Sequence, residues 1–345
     1  MKTDIKSLSF DELVALVNAL DLPKYRAGQL FSWLHKFGVT DFSQMANIPK
    51  SIRSVLAERY YISGCSIEEK YVSRIDSTVK YLFRLHDGEY IESVIMKYKY
   101  GYTICVSSQV GCKMGCRFCA STLAGFKRNL TAGEIEGQIH AAQADLNIRI
   151  SHIVLMGIGE PLDNFDNVIR FIENVNNDNG LNISARNITL STCGIVPKIK
   201  ALMQLNLQIT LTISLHAPND EIRSRTMPVN EKYGVHELIA VCREYALRTS
   251  RRVSFEYTLI KDVNDSRECA EELSELIKGI LCHVNLIPVN NVDERNNIRS
   301  TDESVNNFLQ ILQKNGINAT IRRTLGSDIN ASCGQLRRKR SEVAQ

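Results

Sequence analysis

From about residue 100 onward the chain repeats one rhythm: a short run of β-branched and apolar residues, then a longer stretch with helical spacing. Strand-like runs fall at 102–106, 152–157, 187–191, 209–215, 252–259 and 283–288. Helical stretches lie between them, such as 131–144, which opens on the capping box Thr131…Glu134. Six strand-then-helix units predict a parallel sheet with right-handed crossovers. A final run near 319–325 is placed to close the edge. In such sheets function gathers just past the carboxyl ends of the strands.

Two zones precede this core. Residues 1 to about 63 read as a small helical domain. Ser9 with Glu12 makes a capping box, and Phe10, Leu13, Val14, Val17 and Leu20 keep helical spacing. A second helix follows Pro23, with Tyr25, Leu30, Phe31 and Leu34 on its apolar side, and a third runs near 52–60. Lys24, Arg26, Lys36, Lys50 and Arg53 decorate the zone, which suits either RNA contact or a plain cap on the core. Residues 64–100 read as a β-rich extension, with a hairpin turn at His86-Asp-Gly-Glu. Lys97-Tyr-Lys-Tyr-Gly-Tyr then interleaves basic and aromatic residues, a pattern given both by base stacking and by an exposed antiparallel edge.

Composition narrows the class. With 44% apolar residues, 23% charged and only 7 prolines, the chain is globular rather than disordered or fibrous. Charges are scattered through the first 22 residues, so they form no secretory segment, and no later stretch has the apolar length of a membrane span. The expected location is the cytoplasm. There, cysteines serve as metal ligands, catalytic thiols or small buried residues rather than as disulfide frameworks. Of the 10 cysteines, Cys105, Cys112, Cys116 and Cys119 crowd one short stretch, whereas Cys65, Cys193, Cys242, Cys269, Cys282 and Cys333 are scattered. Net charge is +4. From residue 320 onward Arg322, Arg323, Arg337, Arg338, Lys339 and Arg340 face only Asp328 and Glu342, so the excess sits at the end. Such a basic tail (337–345 with its approach) suits a polyanion, and a solvated terminus equally well.

The segment Gly111-Cys-Lys-Met-Gly-Cys-Arg-Phe-Cys follows the first core strand. Its C-x3-C-x2-C spacing places Cys112, Cys116 and Cys119 on one glycine-bearing loop. Three thiolates can hold three irons of a cubane and leave the fourth open, since full ligation takes four. Zinc needs paired ligands on a second side, and none follow. The motif resembles that of the radical SAM superfamily, in which the open iron of a [4Fe-4S] cluster chelates S-adenosylmethionine (SAM) and reduction yields a 5′-deoxyadenosyl radical. Phe118 fits the superfamily's aromatic beside the last ligand.

A narrower resemblance rests on Val106-Ser-Ser-Gln-Val-Gly-Cys, Asn129-Leu-Thr, Ser214-Leu-His-Ala-Pro-Asn-Asp, Val284-Asn-Leu-Ile-Pro and Ser332-Cys-Gly-Gln-Leu. Together with Cys105 these resemble the adenine-C2 RNA methyltransferases of the RlmN type and their C8-modifying Cfr-type relatives, over nearly the whole chain from Phe10 to Leu336. The resemblance implies a partial (β/α)6 radical SAM barrel over 101–336, with the helical amino-terminal domain and the β extension attached. It implies SAM contacts at Gly159, Glu160, Ser191, Ser214, Leu215, His216 and Asn290. It implies that Cys333 takes a methyl group from one SAM, and that the radical drawn from a second SAM activates that methyl for attack on the base. Glu92 accepts the ring proton, and Cys105 resolves the adduct through a transient disulfide with Cys333. Implied partners are 23S rRNA, tRNA beside the anticodon, and an electron donor such as flavodoxin or ferredoxin, for a monomer with no membrane contact. Cys193 reads as packing.

Other classes stay open on the residues alone. C8 methylation of the Cfr type shares every motif. A non-catalytic RNA-binding assembly factor would need neither Cys105, Cys333 nor Glu92. A glycyl-radical activase, or another small-molecule radical SAM enzyme, would need neither the Cys-Gly-Gln-Leu segment nor the helical domain.

Overall fold

Local capping starts the amino-terminal unit. Ser9 Oγ accepts the Glu12 amide at 3.1 Å and Glu12 returns the bond to the Ser9 amide at 2.8 Å. A short parallel pair, β1 (Thr3–Asp4) with β2 (Tyr60–Tyr61), brackets α1 (Phe10–Ala19), α2 (Tyr25–Phe31) and α3 (Lys50–Arg59). The second helix is shorter than its apolar spacing predicts. It stops at Phe31 and passes into one wide turn, Ser32–Lys36, in which the Phe37 amide reaches back to the Ser32 carbonyl at 3.0 Å. That turn buries Leu34 and His35 completely. Ile5, Leu13, Val17, Leu30, Phe31, Met45 and Leu56 form a core of their own. The computed structural model describes residues 2–290, 292 and 294–337. Of the basic tail, only Arg337 lies among them.

The segment expected as a hairpin extension is instead part of the main sheet. β3 (Ser66–Val72), β4 (Val79–Arg84) and β5 (Tyr90–Tyr98) run antiparallel, and β5 pairs antiparallel with β6 (Gly101–Cys105). A small ribbon, β7 (Gln109–Val110) with β8 (Arg128–Asn129), ties off the cysteine-bearing loop. Beyond it, β6 pairs in parallel with β9 (Ile150–Leu155), followed in order by β10 (Ile188–Thr192), β11 (Thr210–Ser214), β12 (Val253–Leu259), β13 (Cys282–Pro288) and β14 (Ala319–Ile321). The result is one 10-stranded sheet.

The parallel strands alternate: in β12, Val253, Phe255, Tyr257 and Leu259 join the apolar core, while Ser254, Glu256 and Thr258, also buried, alternate with them, the last two lining a cavity. The covering helices are α4 (Ala132–Leu146), α5 (Phe165–Asn176), α6 (Val196–Gln204), α7 (Asp220–Thr226), α8 (Val235–Thr249), α9 (Arg267–Leu276) and α10 (Asp302–Lys314). α5 shows why they dock: Val168, Ile169, Phe171, Ile172 and Val175 make one apolar stripe and all are buried. The amino-terminal unit leans on α4 through polar contacts: His35 Nδ1 meets Glu136 at 2.7 Å, and Thr131 Oγ1 donates to Asp4 at 3.0 Å. Among the described residues no helix is long and apolar enough to cross a membrane.

Candidate active site

The strand-end rule places the chemistry. Past β6 the chain enters the cysteine loop, whose ends are drawn together at Gly111 (φ +77), where a Cβ would collide with the Gly125 carbonyl. Cys112, Cys116 and Cys119 all line one cavity. Burial pushes the Cys112 thiol up to about 12, and pushes Cys116 and Cys119 up as well. The other loop sulfurs add to the push on Cys116, so the three lie within electrostatic reach of one another. Among the described residues no three His, Cys, Asp or Glu side chains converge on a single-ion site. Three thiols spread around a cavity suit a polynuclear group instead, in which each thiolate meets a different iron and a cationic cluster offsets the burial of negative sulfur.

The ends of the neighbouring strands line the same cavity. Gly157 and Gly159 follow β9 so tightly that a Cβ on either would meet backbone atoms of the β6–β7 stretch at 2.6 to 2.8 Å. Glu160 projects inward with both oxygens engaged, one by the Leu162 amide at 3.0 Å and one by the Cys193 amide at 2.7 Å. Its pKa is raised by burial, against the pull of those amides. Ser191, Ser214 and Asn290 also reach the cavity. His216 accepts the Thr258 amide on Nδ1 at 2.9 Å, which leaves Nε2 to carry the proton. Burial holds that imidazole down at about 3, and Phe118 sits edge-on to it at 4.8 Å. Leu215 is the exception: its side chain packs in the core and does not line the cavity. Cys193 does line it, with a buried thiol beside Glu160.

A second cavity adjoins the first, and Cys333 lines both, together with Met156, Asn290 and Arg322. Cys105 lines only the second, and its thiol is pushed up to about 12 by burial and by the sulfur of Cys333. The turn segment bearing Cys333 is tied into place: Asn290 donates to the Cys333 carbonyl at 3.0 Å, the Ala120 amide to that of Gly334 at 2.7 Å, and Ser121 to that of Leu336 at 2.9 Å. Both sulfurs are free thiols. Glu92 lines neither cavity. It takes the Arg337 amide at 2.6 Å and pairs with Lys80 at 3.2 Å.

Sequence reasoning missed two arginines. Arg322 reads as part of a basic surface patch, but it points inward and pairs with buried Glu256 at 3.1 Å. Arg223 is fully buried, and its guanidinium takes the carbonyls of Cys193 (2.6 Å), Leu215 (3.1 Å) and Ser214 (3.2 Å), stitching the ends of β10 and β11 together. Its sequence neighbours give no sign of this. For Arg322, which follows the mostly exposed strand β14, the neighbours offer no better hint.

Comparison with known proteins agrees with this layout. Residues 106–277 match the radical SAM superfamily model, and residues 3–62 match the ribosomal RNA large subunit methyltransferase N-terminal domain. A protein of Clostridium tetani named as a probable dual-specificity RNA methyltransferase RlmN is 56% identical, over 97% of this chain and 96% of its own length. A protein of Alkaliphilus oremlandii with the same name is 55% identical over 98% of each chain. The crystal structure of a radical SAM methyltransferase from Sphaerobacter thermophilus superposes with a TM-score of 0.92 at 43% identity, covering 98% of this chain and 100% of that one. The chain therefore belongs to the RlmN family of radical SAM methyltransferases.

Proposed function

We propose that this enzyme methylates carbon 2 of an adenine in 23S rRNA and in tRNA beside the anticodon, with Cys333 carrying the methyl group between SAM and the base. One observation carries the reading: Cys333 stands on the wall shared by two cavities, one lined by the loop thiols and the other by Cys105. Family membership brings SAM and an iron–sulfur cluster. A single [4Fe-4S] cluster held by Cys112, Cys116 and Cys119 would supply one-electron cleavage of SAM, the radical chemistry that a poorly nucleophilic ring carbon requires.

The chain's own residues do the rest. Glu160, Gly159, Ser191, Ser214 and the Nε2–H of His216 orient SAM from the strand ends, and the fixed neutrality of His216 makes it a dependable donor. Asn290 holds the Cys333 backbone so that its sulfur faces the first cavity, where it takes the methyl group. From the second cavity the same sulfur presents that carbon to an unstacked adenine, a modest cost in a loop. Once the adduct has given up one electron, Glu92 takes the proton leaving the ring carbon. The Cys105 thiolate then attacks the Cys333 sulfur. The carbon–sulfur bond breaks with its electron pair passing to the carbon, which takes a proton to become the product methyl and leaves a disulfide that the reductant reopens. Flavodoxin or ferredoxin fits the need for a one-electron donor.

The test is anaerobic reconstitution with iron and sulfide, followed by SAM, a reductant and unmodified RNA, with nucleosides identified by mass spectrometry. 2-Methyladenosine is the expected product. 8-Methyladenosine would place the enzyme with the Cfr type, and deoxyadenosine with no modified base would refute RNA methylation.

A further inference from the structure

The second cavity extends to Tyr98, beside a patch that the reaction chemistry leaves unused. β5 ends at Tyr98 and β6 begins at Gly101, so Lys99 and Tyr100 make a two-residue turn. Gly101 permits it: its φ is +127, and Ser151 Oγ lies 2.5 Å from where a Cβ would stand. The turn folds Tyr100 back onto Tyr98, with ring centroids 5.0 Å apart and planes 6° from parallel. His152 braces Tyr100 from another side at 4.7 Å. Even so, Tyr100 is 61% exposed. Core packing does not account for a ring that is braced in place and left in water.

Cations outnumber carboxylates around the pair, with Glu256 the partner of Arg322. Residues 93–108 contain Lys97 and Lys99 and no carboxylate. Arg322 and Arg323 line the cavity beside Tyr98. The Tyr98 phenol is pushed up by burial and then by neighbours that include Tyr100, Cys333 and Cys105, so the pair is continuous with the reacting sulfurs. Parallel aromatic faces, nearby cations and continuity with the base-receiving cavity form a combination that binds single-stranded nucleic acid: stacking accepts any base, and lysines track the phosphates.

We propose that Tyr98 and Tyr100 form a stacking platform for an unpaired nucleobase next to the target adenine, with Lys97 and Lys99 on the adjoining phosphates. This rests on the reading of the protein as an RNA methyltransferase. Stacking without hydrogen-bond readout also suits an enzyme that meets two different RNA loops.

Binding of a fluorescein-labelled, unmodified tRNA transcript to the reconstituted full-length protein tests the platform, read by anisotropy. Tyr100→Leu is expected to weaken binding about tenfold or more, and Tyr100→Phe to stay within about twofold of wild type. Replacing Lys97 and Lys99 together by Gln is expected to lower the slope of log affinity against log salt by about 1.4. 4-Thiouridine placed beside the target adenine is expected to crosslink within residues 97–102. Unchanged affinity in Tyr100→Leu, at an unchanged melting temperature, overturns the platform and leaves RNA methylation standing. A variant that keeps RNA affinity but is reduced more slowly by flavodoxin would assign the patch to a protein partner instead, and so overturn it. Wild-type protein that binds no RNA overturns both readings.

Discussion

Lys80 and Glu92 meet as an ion pair at 3.2 Å on adjacent antiparallel strands, with both side chains almost fully withdrawn from water. Lys80 lies opposite Val94, so the pair is a diagonal one, two residues along from the direct Leu82–Glu92 partners. Burial pushes the Glu92 carboxyl up, and Lys80, with the Arg337 amide, pulls it back down. Burial wins, leaving Glu92 more basic than an ordinary carboxylate, which fits the proton-acceptor role proposed for it.

Glu92→Gln is therefore expected to lower turnover by roughly a hundredfold or more while the protein stays folded. In Lys80→Met the cation is gone and burial remains, so the acid limb of the pH–rate profile moves to higher pH. Single-turnover rates between pH 5 and 8 check this. A limb that stays in place or moves to lower pH contradicts the pairing.

The seam between the amino-terminal unit and α4 carries a separate pH dependence. His140, on α4, contacts Glu136 at 3.0 Å, and Glu136 also meets His35. Burial, then the Lys6 cation, holds His140 down at about 4. A histidine depressed on folding contributes stability above its unfolded value near 6.5 that is lost as pH falls toward 4. Between pH 6.5 and 5 the expected loss is about 2 kcal/mol. Urea unfolding at several pH values measures it, and His140→Gln flattens the dependence.

Arg223 gives the largest expected stability effect. Its guanidinium satisfies four backbone carbonyls, those of Cys193, Ser214, Leu215 and Tyr233, and Asn230 Oδ1 with no access to water. An ammonium cannot fork to that many acceptors. Arg223→Lys is expected to cost about 3 kcal/mol or more, because each stranded buried acceptor costs about 1–3 kcal/mol. SAM affinity falls with it, since Ser214 and Cys193 lose their tie. Stability within about 1 kcal/mol of wild type would count against this role.

What was legible in the sequence was local. Ser9…Glu12 and Thr131…Glu134 announce helix starts because both partners lie within one turn. The strand runs were visible because short stretches of β-branched and apolar residues recur between helical ones. The bounds of the six parallel runs shifted by a residue or two, while the final run near 319–325 stops at Ile321. The cysteine loop was legible because its three thiols lie close together in sequence. The rest depends on distant partners. Nothing near Arg322 foretells Glu256, 66 residues away, and nothing near Glu92 foretells the Arg337 amide, 245 residues away. The wide turn at Ser32–Lys36 was hidden because helix and turn bury the same apolar positions.

The most direct measurement of methyl carriage by Cys333 is mass spectrometry of Cys105→Ala protein after anaerobic reaction with SAM, a reductant and unmodified tRNA. The expected result is a covalent protein–RNA adduct joined at Cys333 through one methyl-derived carbon, and none when Cys333 is also Ala. Free methylated adenosine at the wild-type level from the Cys105→Ala protein, or any methylated product from Cys333→Ala, would contradict it.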